Sequence, residues 1–435
     1  MPGRQANLIG ATLGRARASV HRLAEKMEET VQLSVTVPMP TKPKRTEFSV
    51  LLDRVRNLQL FFRDAARATD SNRRVSKKAM DLLKEAEVTR LVRPAAFGGF
   101  EYGTGEMAQI AFEIGRACGS TGWCGSLAIC YQWMTSFFPL EAQRDVWANP
   151  DNLVAGSYNP SKEVEIVPGG IKLAGAWPFA SNCENSEWLM LGALVPNSAG
   201  PPQVMWALVP STDLVVDQET WFTCGLQGTG SKTVRIAKPV FVPDHRLVKF
   251  ADIVAGTVPG KKIDGNVMSR FGFTTFGPTA LVSPILGMAQ GALDSFIELS
   301  KTRTRAAKPG MFVPVSQSPL IQSRIGNAAA TIESAFSMLL GSVVAAEDKV
   351  RRGVALEIGE RITIRRNQGF AAKQSVAVVN DLYAKDGANA SDLAAPLQRF
   401  WRDANAAALH LSLDWEAIAS MYGQHKLGLE PVGIY

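Results

Sequence analysis

The sequence is poor in residues that could form disulfides or bind a metal. It contains five cysteines, an odd number with no Cys-x-x-Cys pair, and four histidines without the spacing of zinc ligands. This pattern argues against disulfides, favours a reducing cytoplasm and predicts no metal site. The sequence also lacks a run of about 18 uncharged apolar residues, so we expect no membrane association.

Two nucleotide-binding motifs are missing as well. No Gly-x-Gly-x-x-Gly follows a predicted strand and opens a helix, so no nicotinamide-binding Rossmann unit is visible. No Gly-x4-Gly-Lys-Ser/Thr motif is present, which argues against a P-loop nucleotide hydrolase. These two large classes of nucleotide-dependent enzymes are therefore disfavoured.

Most of the positive charge belongs to the N-terminal end of the chain. The formal net charge is +7, and residues 1–45 contribute +5 of it from eight basic and three acidic side chains. A nucleic-acid groove needs Lys and Arg along one face of the folded body, which is nearly neutral here. We therefore expect no nucleic-acid partner, and we interpret residues 1–46 as a basic extension and linker whose role stays open.

The rest of the sequence changes character twice, which predicts three structured parts. Residues 47–150 repeat apolar residues at spacings of three and four, which indicates an N-terminal helical domain. Residues 151–255 are short β-branched and aromatic runs between Gly, Pro and Asn, which indicates a central antiparallel β domain. Residues 265–435 are amphipathic over long spans, as expected for a C-terminal helix bundle. The predicted fold class is α+β.

The stretch GAWPFASNCENSEW, residues 175–188, is a candidate ligand site between two predicted strands. Phe179 and the two tryptophans would supply flat apolar walls, and Ser181 and Asn182 would offer hydrogen bonds at the rim. Such a combination suits a flat aromatic ligand. The alternative is a polar bend that satisfies its own backbone.

Two predicted helices supply further candidates. Trp123 and Tyr131 lie eight residues apart in an almost uncharged segment, so they can share one face, with Gln132 next to them. His410 is the only histidine of an Ala-rich segment, and Asp403 lies about two turns before it. A histidine that titrates near neutral pH is a natural proton donor or base. In both segments the alternative is that these side chains only fill a core.

Together these motifs resemble the acyl-CoA dehydrogenase superfamily. The wider resemblance rests on RPAAFGGFEYGTG, on GLQGTGSKTVRIAKPVFVPDHR and on the order of helices, β domain and helices. More narrowly, GSTGWCGSLAICYQW, GAWPFASNCENSEWLMLGA and RFWRDANAAALHLSLDW resemble its two-component flavin monooxygenases. That branch includes the oxygenase components of 4-hydroxyphenylacetate hydroxylase and of 9,10-secosteroid phenol hydroxylase. The resemblance covers about residues 48–431.

The resemblance implies an acyl-CoA dehydrogenase-like fold and a defined reaction. A separate NAD(P)H:flavin reductase supplies reduced FMN or reduced FAD, with FMN slightly favoured. The oxygenase binds the reduced flavin, forms a C4a-hydroperoxyflavin with O2 and hydroxylates a small aromatic substrate. The resemblance also implies a homotetramer.

The resemblance further implies roles for single residues. Ser181 corresponds to a serine that hydrogen-bonds flavin N5, His410 to a histidine beside the hydroperoxide, and Trp123 to a tryptophan of the flavin pocket. Ser157 corresponds to a residue on the substrate side, and Arg270, more loosely, to a flavin-contacting arginine. We therefore expect catalytic roles for His410 and Ser181, flavin contacts from Trp123, Ser181, Asn182, Phe179 and Arg270, and substrate contacts from Tyr131, Ser157, Gln132 and Asp403.

One departure from the family pattern concerns the substrate. Tyr131 stands where the phenol hydroxylases have a histidine, which disfavours a simple phenol and favours an aniline, an indole, a polycyclic ketone or a heteroatom centre as the substrate.

Two other functions of the protein stay open. An FAD-dependent acyl-CoA dehydrogenase is disfavoured because the segment SMYGQHKLGLE has no acid directly after its tyrosine. A non-catalytic binding protein of the same fold is the other alternative.

Overall fold

Residues 45–198 and 200–435 are described by a computed structural model. The predicted basic extension, residues 1–46, lies outside the described residues except for its last two positions. The division of the remaining chain at residues 150 and 255 stays a prediction.

In the described chain, five α-helices precede the first strand. They are α1 (Phe48–Ser71), α2 (Lys77–Glu85), α3 (Thr104–Ala117), α4 (Gly119–Thr135) and α5 (Leu140–Val146). Helix α4 carries no charged residue and is buried along nearly its whole length. It crosses α3 closely, because a Cβ atom added at Gly122 would lie 2.5 Å from the Cα atom of Gly115. These small residues bring α4, and with it Trp123, into the centre of the molecule.

Strands between residues 154 and 249 form two four-stranded sheets, in the orders β1-β4-β5-β8 and β2-β3-β7-β6. The strands are β1 (Val154–Ser161), β2 (Val164–Val167), β3 (Gly170–Ala180), β4 (Trp188–Val195), β5 (Gln203–Pro210), β6 (Val215–Asp217), β7 (Lys232–Pro243) and β8 (Leu247–Lys249). Trp177, Leu189 and Val234 belong to the buried apolar cluster that the two sheets share. This core fixes the end of β3, where the candidate stretch begins.

One strand pair differs from the purely antiparallel domain that the sequence predicts. Strands β1 and β4 pair in parallel, with Ser157 opposite Leu191. The chain leaves β1 for β2 and β3 of the other sheet and returns to β4 in its original direction, which is the kind of crossover that parallel pairing needs. As a result β1 lies beside the end of β3, and Ser157 Oγ donates a hydrogen bond of 2.6 Å to the carbonyl oxygen of Pro178.

The remaining chain is mainly helical. It contains α6 (Phe250–Ala255), α7 (Phe273–Thr302), the hairpin of β9 (Thr304–Lys308) and β10 (Met311–Pro314), and then α8 (Pro319–Arg351), α9 (Ile358–Asp386), α10 (Pro396–Ala408) and α11 (Trp415–Lys426). Helix α7 packs closely on α3, because a Cβ atom added at Gly287 would lie 2.1 Å from the carbonyl oxygen of Phe112. The helices that follow the β sheets therefore share a core with those that precede them.

Two helices of the described chain are long and apolar enough to cross a membrane, judged by length and composition alone. They are α7 and α8. In α7, 78% of the most apolar window is buried inside the folded chain, which is the pattern of a core helix. In α8 only 28% of that window is buried, so this helix presents a broad apolar face to the outside.

Candidate active site

Three side chains that are far apart in the sequence lie together in the structure. Trp123 on α4 donates a hydrogen bond of 3.2 Å from Nε1 to Ser181 Oγ. The Trp123 ring also lies near the imidazole of His410, with 6.0 Å between the ring centroids. The three residues expected around one ligand are thus brought to one place, although their roles stay a prediction.

Ser181 owes its position to two unusual backbone conformations at the end of β3. Phe179 and Asn182 both have φ of 62°, in the left-handed region. Asn tolerates this region well, whereas an aromatic residue held there carries strain of the kind that collects at functional sites. The backbone N–H of Asn182 donates to the carbonyl oxygen of Thr229 at 3.0 Å, which attaches the bend to the turn Gln227–Thr229. Ser181 is therefore held between two bent segments.

Ser181 also belongs to a buried row of hydroxyl groups that sequence reasoning missed. Its Oγ lies 2.6 Å from Ser231 Oγ, and Ser231 Oγ lies 2.6 Å from Thr229 Oγ1. Thr229 Oγ1 donates in turn to the carbonyl oxygen of Leu226 at 2.8 Å. The signal in the sequence was GTGS, in which both hydroxyl residues stand directly after a glycine.

His410 lies just beyond the helix in which the sequence predicts it. Helix α10 ends at Ala408, and His410 is an extended residue that precedes the short turn Leu411–Leu413. Its Nδ1 accepts a hydrogen bond of 3.1 Å from the backbone N–H of Ser412. The neutral ring must therefore carry its proton on Nε2. The backbone thus binds the imidazole at Nδ1 and leaves its Nε2–H available as a hydrogen-bond donor.

The environment of His410 favours this neutral form. His410 is exposed at the surface of the single chain, but the protein atoms crowded around it, and then the charge of Arg365, lower its pKa below that of a free imidazole. Arg365 donates to the carbonyl oxygen of Ser412 at 2.7 Å and to Gln368 Oε1 at 2.7 Å. Among the described residues Arg365 forms no ion pair, and burial lowers its pKa to about 10. A buried cation thus supports the turn that orients His410.

Asp403 points at the backbone rather than into the group around Trp123. It is fully buried, and its Oδ1 accepts a hydrogen bond of 2.6 Å from the backbone N–H of Leu226. Its Oδ2 has no hydrogen-bond partner among the described residues and faces Gly119, where an added Cβ atom would lie 2.7 Å away. Burial, and then the charge of Asp70, raises the pKa of Asp403 to about 7. Asp403 therefore fixes the segment that carries Thr229.

Tyr131 lies about 12 Å along α4 from Trp123, and Ser157 belongs to β1, which packs against this helix. Tyr131 is buried, with its ring centroid 6.1 Å from that of Tyr158. It lies against the bare backbone of β1, because a Cβ atom added at Gly156 would be 2.9 Å from its hydroxyl oxygen. Burial raises the pKa of Tyr131, so its hydroxyl stays neutral at pH 7. This group offers hydroxyl donors and acceptors without a charge.

Gln132 is placed apart from these groups. Its side-chain oxygen accepts from Arg93 Nε at 3.0 Å and from Trp147 Nε1 at 2.7 Å. Its amide nitrogen donates to the carbonyl oxygen of Asn152 at 3.1 Å. The carboxamide therefore joins three separate segments, and both of its polar atoms have protein partners.

The three remaining predicted residues are Asn182, Arg270 and Phe179, whose side chains form no hydrogen bond with those of Trp123, Ser181 or His410 among the described residues. Asn182 is buried, with Oδ1 accepting from Asn185 Nδ2 at 2.9 Å and with Nδ2 unpartnered within residues 45–198 and 200–435. Arg270 is exposed, and no hydrogen bond joins it to Trp123 or to the other central residues. Phe179 has its ring 6.1 Å from that of Trp221 and is otherwise open to solvent.

The chemistry of the group formed by Trp123, Ser181 and His410 suits an isoalloxazine ring. Trp123 supplies a flat ring, Ser181 a hydroxyl oxygen and His410 an N–H donor. Phe179, Leu409 and Leu411 are 71%, 86% and 87% exposed on the single chain, and the two leucines flank His410 directly. Flat apolar surfaces with a few placed polar atoms are what a planar tricyclic ligand needs. A cavity of about 590 Å³ between α1, α2 and residues 184–187 is a separate feature that these residues do not line.

Comparisons with known proteins identify the family of this chain. Residues 279–415 match the family described as Acyl-CoA dehydrogenase, C-terminal domain. The chain is 37% identical to the FADH(2)-dependent resorcinol hydroxylase, oxygenase component, of Rhizobium sp. (strain MTP-10005), over 92% of this chain and 98% of the relative. It is 33% identical to the flavin-dependent monooxygenase, oxygenase subunit HsaA, of Rhodococcus jostii (strain RHA1), over 84% of this chain and 95% of the relative.

Comparison with solved structures points to the same family. The crystal structure of 3-HSA hydroxylase from Rhodococcus sp. RHA1 superposes with a TM-score of 0.83 at 32% identity, covering 88% of this chain and 98% of that one. The predicted α+β, acyl-CoA dehydrogenase-like fold and the predicted enzyme class are confirmed. The chain therefore belongs to the oxygenase components of the two-component flavin-dependent monooxygenases, enzymes that hydroxylate aromatic substrates with reduced flavin.

Proposed function

We propose that this oxygenase hydroxylates a small aromatic substrate in the space between two groups of side chains. Trp123, Ser181 and His410 bind and orient the reduced flavin, and Tyr131, Ser157 and Tyr158 face the substrate. Reduced flavin, delivered by a separate NAD(P)H:flavin reductase, would supply the two electrons that activate O2, so that one oxygen atom of O2 goes to the substrate and the other leaves as water. The observation that carries the proposal is the convergence of the Trp123–Ser181 hydrogen bond with the His410 ring.

The chain itself would supply orientation and hydrogen bonds. Trp123 donates to Ser181 and would cover a bound flavin ring, and Ser181 would hold the edge of that ring. His410 is neutral, with Nδ1 bound to a backbone N–H, so its Nε2–H can donate a hydrogen bond toward the reacting oxygen. Phe179 is open enough to cover an edge of the bound ring and exclude water. We assign no ligand contact to Gln132, whose polar atoms already have partners.

On the substrate side we propose a neutral, hydroxyl-lined pocket. The raised pKa of Tyr131 leaves it able to donate to, or accept from, a substrate hydroxyl, but unable to act as a base at pH 7. Relatives are named for resorcinol, p-hydroxyphenylacetate and indole-3-acetate. A phenol such as resorcinol therefore becomes the first candidate, despite the tyrosine at position 131, and anilines and indoles come second.

For the flavin we propose reduced FAD ahead of reduced FMN. A relative at 37% identity is named as FADH(2)-dependent, and a solved structure at 26% identity, XiaF from Streptomyces sp., holds FADH2. This order reverses the slight preference for FMN that we drew from the sequence. It predicts tighter binding of reduced FAD than of reduced FMN in anaerobic titrations.

We also propose a homotetramer in the cytoplasm. Helix α8 buries Ala328, Ile332, Ala335 and Leu339 along one side, whereas its other side is open and includes the exposed Val344. An exposed apolar helix face of this length fits contact with further copies of the chain. The five cysteines are free, which agrees with a reducing compartment.

A single mixing experiment tests the proposed reaction. The enzyme is mixed with reduced FAD or reduced FMN, isotopically labelled O2, and a panel of phenols, anilines and indoles, and products are identified by mass. We expect one class of substrate to gain one labelled oxygen atom. His410→Ala serves as the control that should bind flavin but form less product. Absence of labelled product with every reduced flavin, together with reduction of bound FAD by an acyl-CoA, would favour the dehydrogenase alternative.

A further inference from the structure

A chain of five buried groups begins at Trp123 and ends at a backbone carbonyl oxygen. Trp123 Nε1 lies 3.2 Å from Ser181 Oγ, which lies 2.6 Å from Ser231 Oγ. Ser231 Oγ lies 2.6 Å from Thr229 Oγ1, which lies 2.8 Å from the carbonyl oxygen of Leu226. We call this series the hydroxyl chain. All of its side chains are at least nine-tenths buried.

The two ends of the hydroxyl chain fix the direction of every proton in it. The carbonyl oxygen of Leu226 can only accept, so Thr229 must give it its single proton. Ser231 must then donate to Thr229, and Ser181 must donate to Ser231. At the other end Trp123 Nε1 can only donate, so Ser181 accepts from it. Reversing the order would set two acceptors, Thr229 Oγ1 and the Leu226 oxygen, against each other at 2.8 Å.

The direction of the hydroxyl chain decides what Ser181 can offer a ligand. Its only proton is directed to Ser231, and one of its acceptor positions is taken by Trp123. What remains is a lone pair, which accepts a hydrogen bond but cannot give one. A flavin carries a hydrogen on N5 when it is reduced, and only a lone pair on N5 when it is oxidised.

We propose that the hydroxyl chain makes Ser181 a pure acceptor and thereby selects reduced flavin over oxidised flavin. The inference rests on the proposed function, since it requires the flavin edge to lie at Ser181. Reduced flavin gains a hydrogen bond there, whereas oxidised flavin sets two acceptors together. A lost hydrogen bond of this kind weakens binding on the order of tenfold. Ser231 and Thr229 are therefore positioning residues that act through Ser181.

The test compares the dissociation constants of the two redox forms. Oxidised FAD and dithionite-reduced FAD are titrated anaerobically by calorimetry into the wild-type enzyme and into two variants. Ser231→Ala removes the acceptor for the Ser181 proton, and Thr229→Val leaves Ser231 free to donate to Ser181. In both variants Ser181 gains the freedom to donate to oxidised flavin. We expect the ratio of the oxidised to the reduced dissociation constant to fall about tenfold in each.

Two controls keep the result specific to the direction of the protons. Thr229→Ser keeps the hydroxyl group and should keep the wild-type ratio. Ser375→Ala removes a buried hydroxyl that donates to the carbonyl oxygen of Ala371 in α9, far in sequence from the hydroxyl chain. This variant should also keep the wild-type ratio of dissociation constants. Retention of the wild-type melting temperature shows that a variant is folded.

The outcomes separate this inference from the proposed function. If the wild-type enzyme favours reduced flavin and both Ser231→Ala and Thr229→Val keep the ratio, the inference is overturned and the function stands. The same holds if Ser375→Ala lowers the ratio equally. If the wild-type enzyme binds neither form of the flavin, both the function and the inference are overturned.

Discussion

Replacing Asp403 by Asn should remove a pH dependence that this buried carboxyl gives to folding. Asp403 Oδ1 accepts from the backbone N–H of Leu226 at 2.6 Å, and Oδ2 has no partner in the part of the chain that the structure describes. Burial is the main cause that raises the pKa of Asp403 from 3.8 to about 7. Asn keeps an acceptor for Leu226 and carries no charge, so the turn Gln227–Thr229 should stay in place.

The free energy of unfolding decreases with rising pH because the pKa of Asp403 is higher in the folded chain than in the unfolded chain. Below about pH 4 the carboxyl is protonated in both states; as the pH rises toward 7 the unfolded chain ionises first, and stability falls. At about 1.36 kcal/mol per pKa unit the loss reaches about 4 kcal/mol, of which about 2–3 kcal/mol arises between pH 5 and pH 8. Asn avoids this loss, although its unpaired amide N–H groups cost about 1–3 kcal/mol at every pH.

The assay is urea unfolding of the wild-type protein and of Asp403→Asn at pH 5 and pH 8. The difference between their free energies of unfolding should shift by about 2–3 kcal/mol in favour of the variant on going to pH 8. Asp403→Leu, which is uncharged but has no acceptor for Leu226, should be less stable than Asp403→Asn at both pH values. A difference that does not change with pH would refute the reasoning, because it would mean that Asp403 is ionised as readily in the folded chain as in the unfolded one.

Four further predictions concern residues that the sequence predicts at the site. His410→Ala should lower the hydroxylation rate by about 10²–10³-fold, as expected for the loss of one hydrogen-bond donor, and raise hydrogen peroxide release per O2 consumed. A yield of product per O2 equal to that of the wild type would remove His410 from this role. In the wild type, the yield of hydroxylated product per O2 consumed should also fall as the pH drops through the lowered pKa of His410, since a protonated Nδ1 cannot accept from Ser412. His410→Gln should not show this pH-dependent fall. Gln132→Leu should destabilise the fold by roughly 3 kcal/mol in urea unfolding, through three lost hydrogen bonds, without changing flavin affinity; a changed flavin dissociation constant would contradict the structural role. Tyr131→Phe should raise KM for the aromatic substrate and leave flavin binding unchanged, and an unaltered KM would exclude a substrate contact.

The sequence was sufficient for the order of the structured parts, and its recognisable motifs pointed to candidate site residues, whose roles stay a prediction. Alternating and helical periodicities separate the parts because they record which faces are buried, and the burial of apolar surface is the main driving force of folding. Trp123, Ser181 and His410 were grouped through their resemblance to a family. No spacing rule could have joined residues that are 58 and 287 positions apart.

What the sequence could not give depends on tertiary partners. Ser231 and Thr229 read as ordinary turn residues, because only the folded chain shows that their hydroxyl groups meet Ser181. The alanines and leucines around His410 predict a helix there, but Arg365 holds the following turn by its Ser412 carbonyl and the helix stops before it. Local propensity is overruled there by a contact 47 residues away in sequence.

Gln132 shows that adjacency in the sequence can also mislead. It stands beside Tyr131, and the sequence therefore predicts it at the substrate. In a helix, however, consecutive residues point about 100° apart, so neighbours in the sequence are separated in space. Gln132 faces Arg93 and Trp147, whereas Tyr131 faces the β1 backbone.

The parallel pairing of β1 with β4 has a consequence for how the molecule acquires its site during folding. Because β2 and β3 intervene in the sequence, the pairing of β1 with β4 closes a loop that contains both of these strands. Loop closure over this distance is slow compared with the formation of local helices. We therefore expect Ser157 to reach its final position after the helices have formed, and changes that delay this pairing should slow the appearance of flavin-binding capacity during refolding more than the recovery of helical signal.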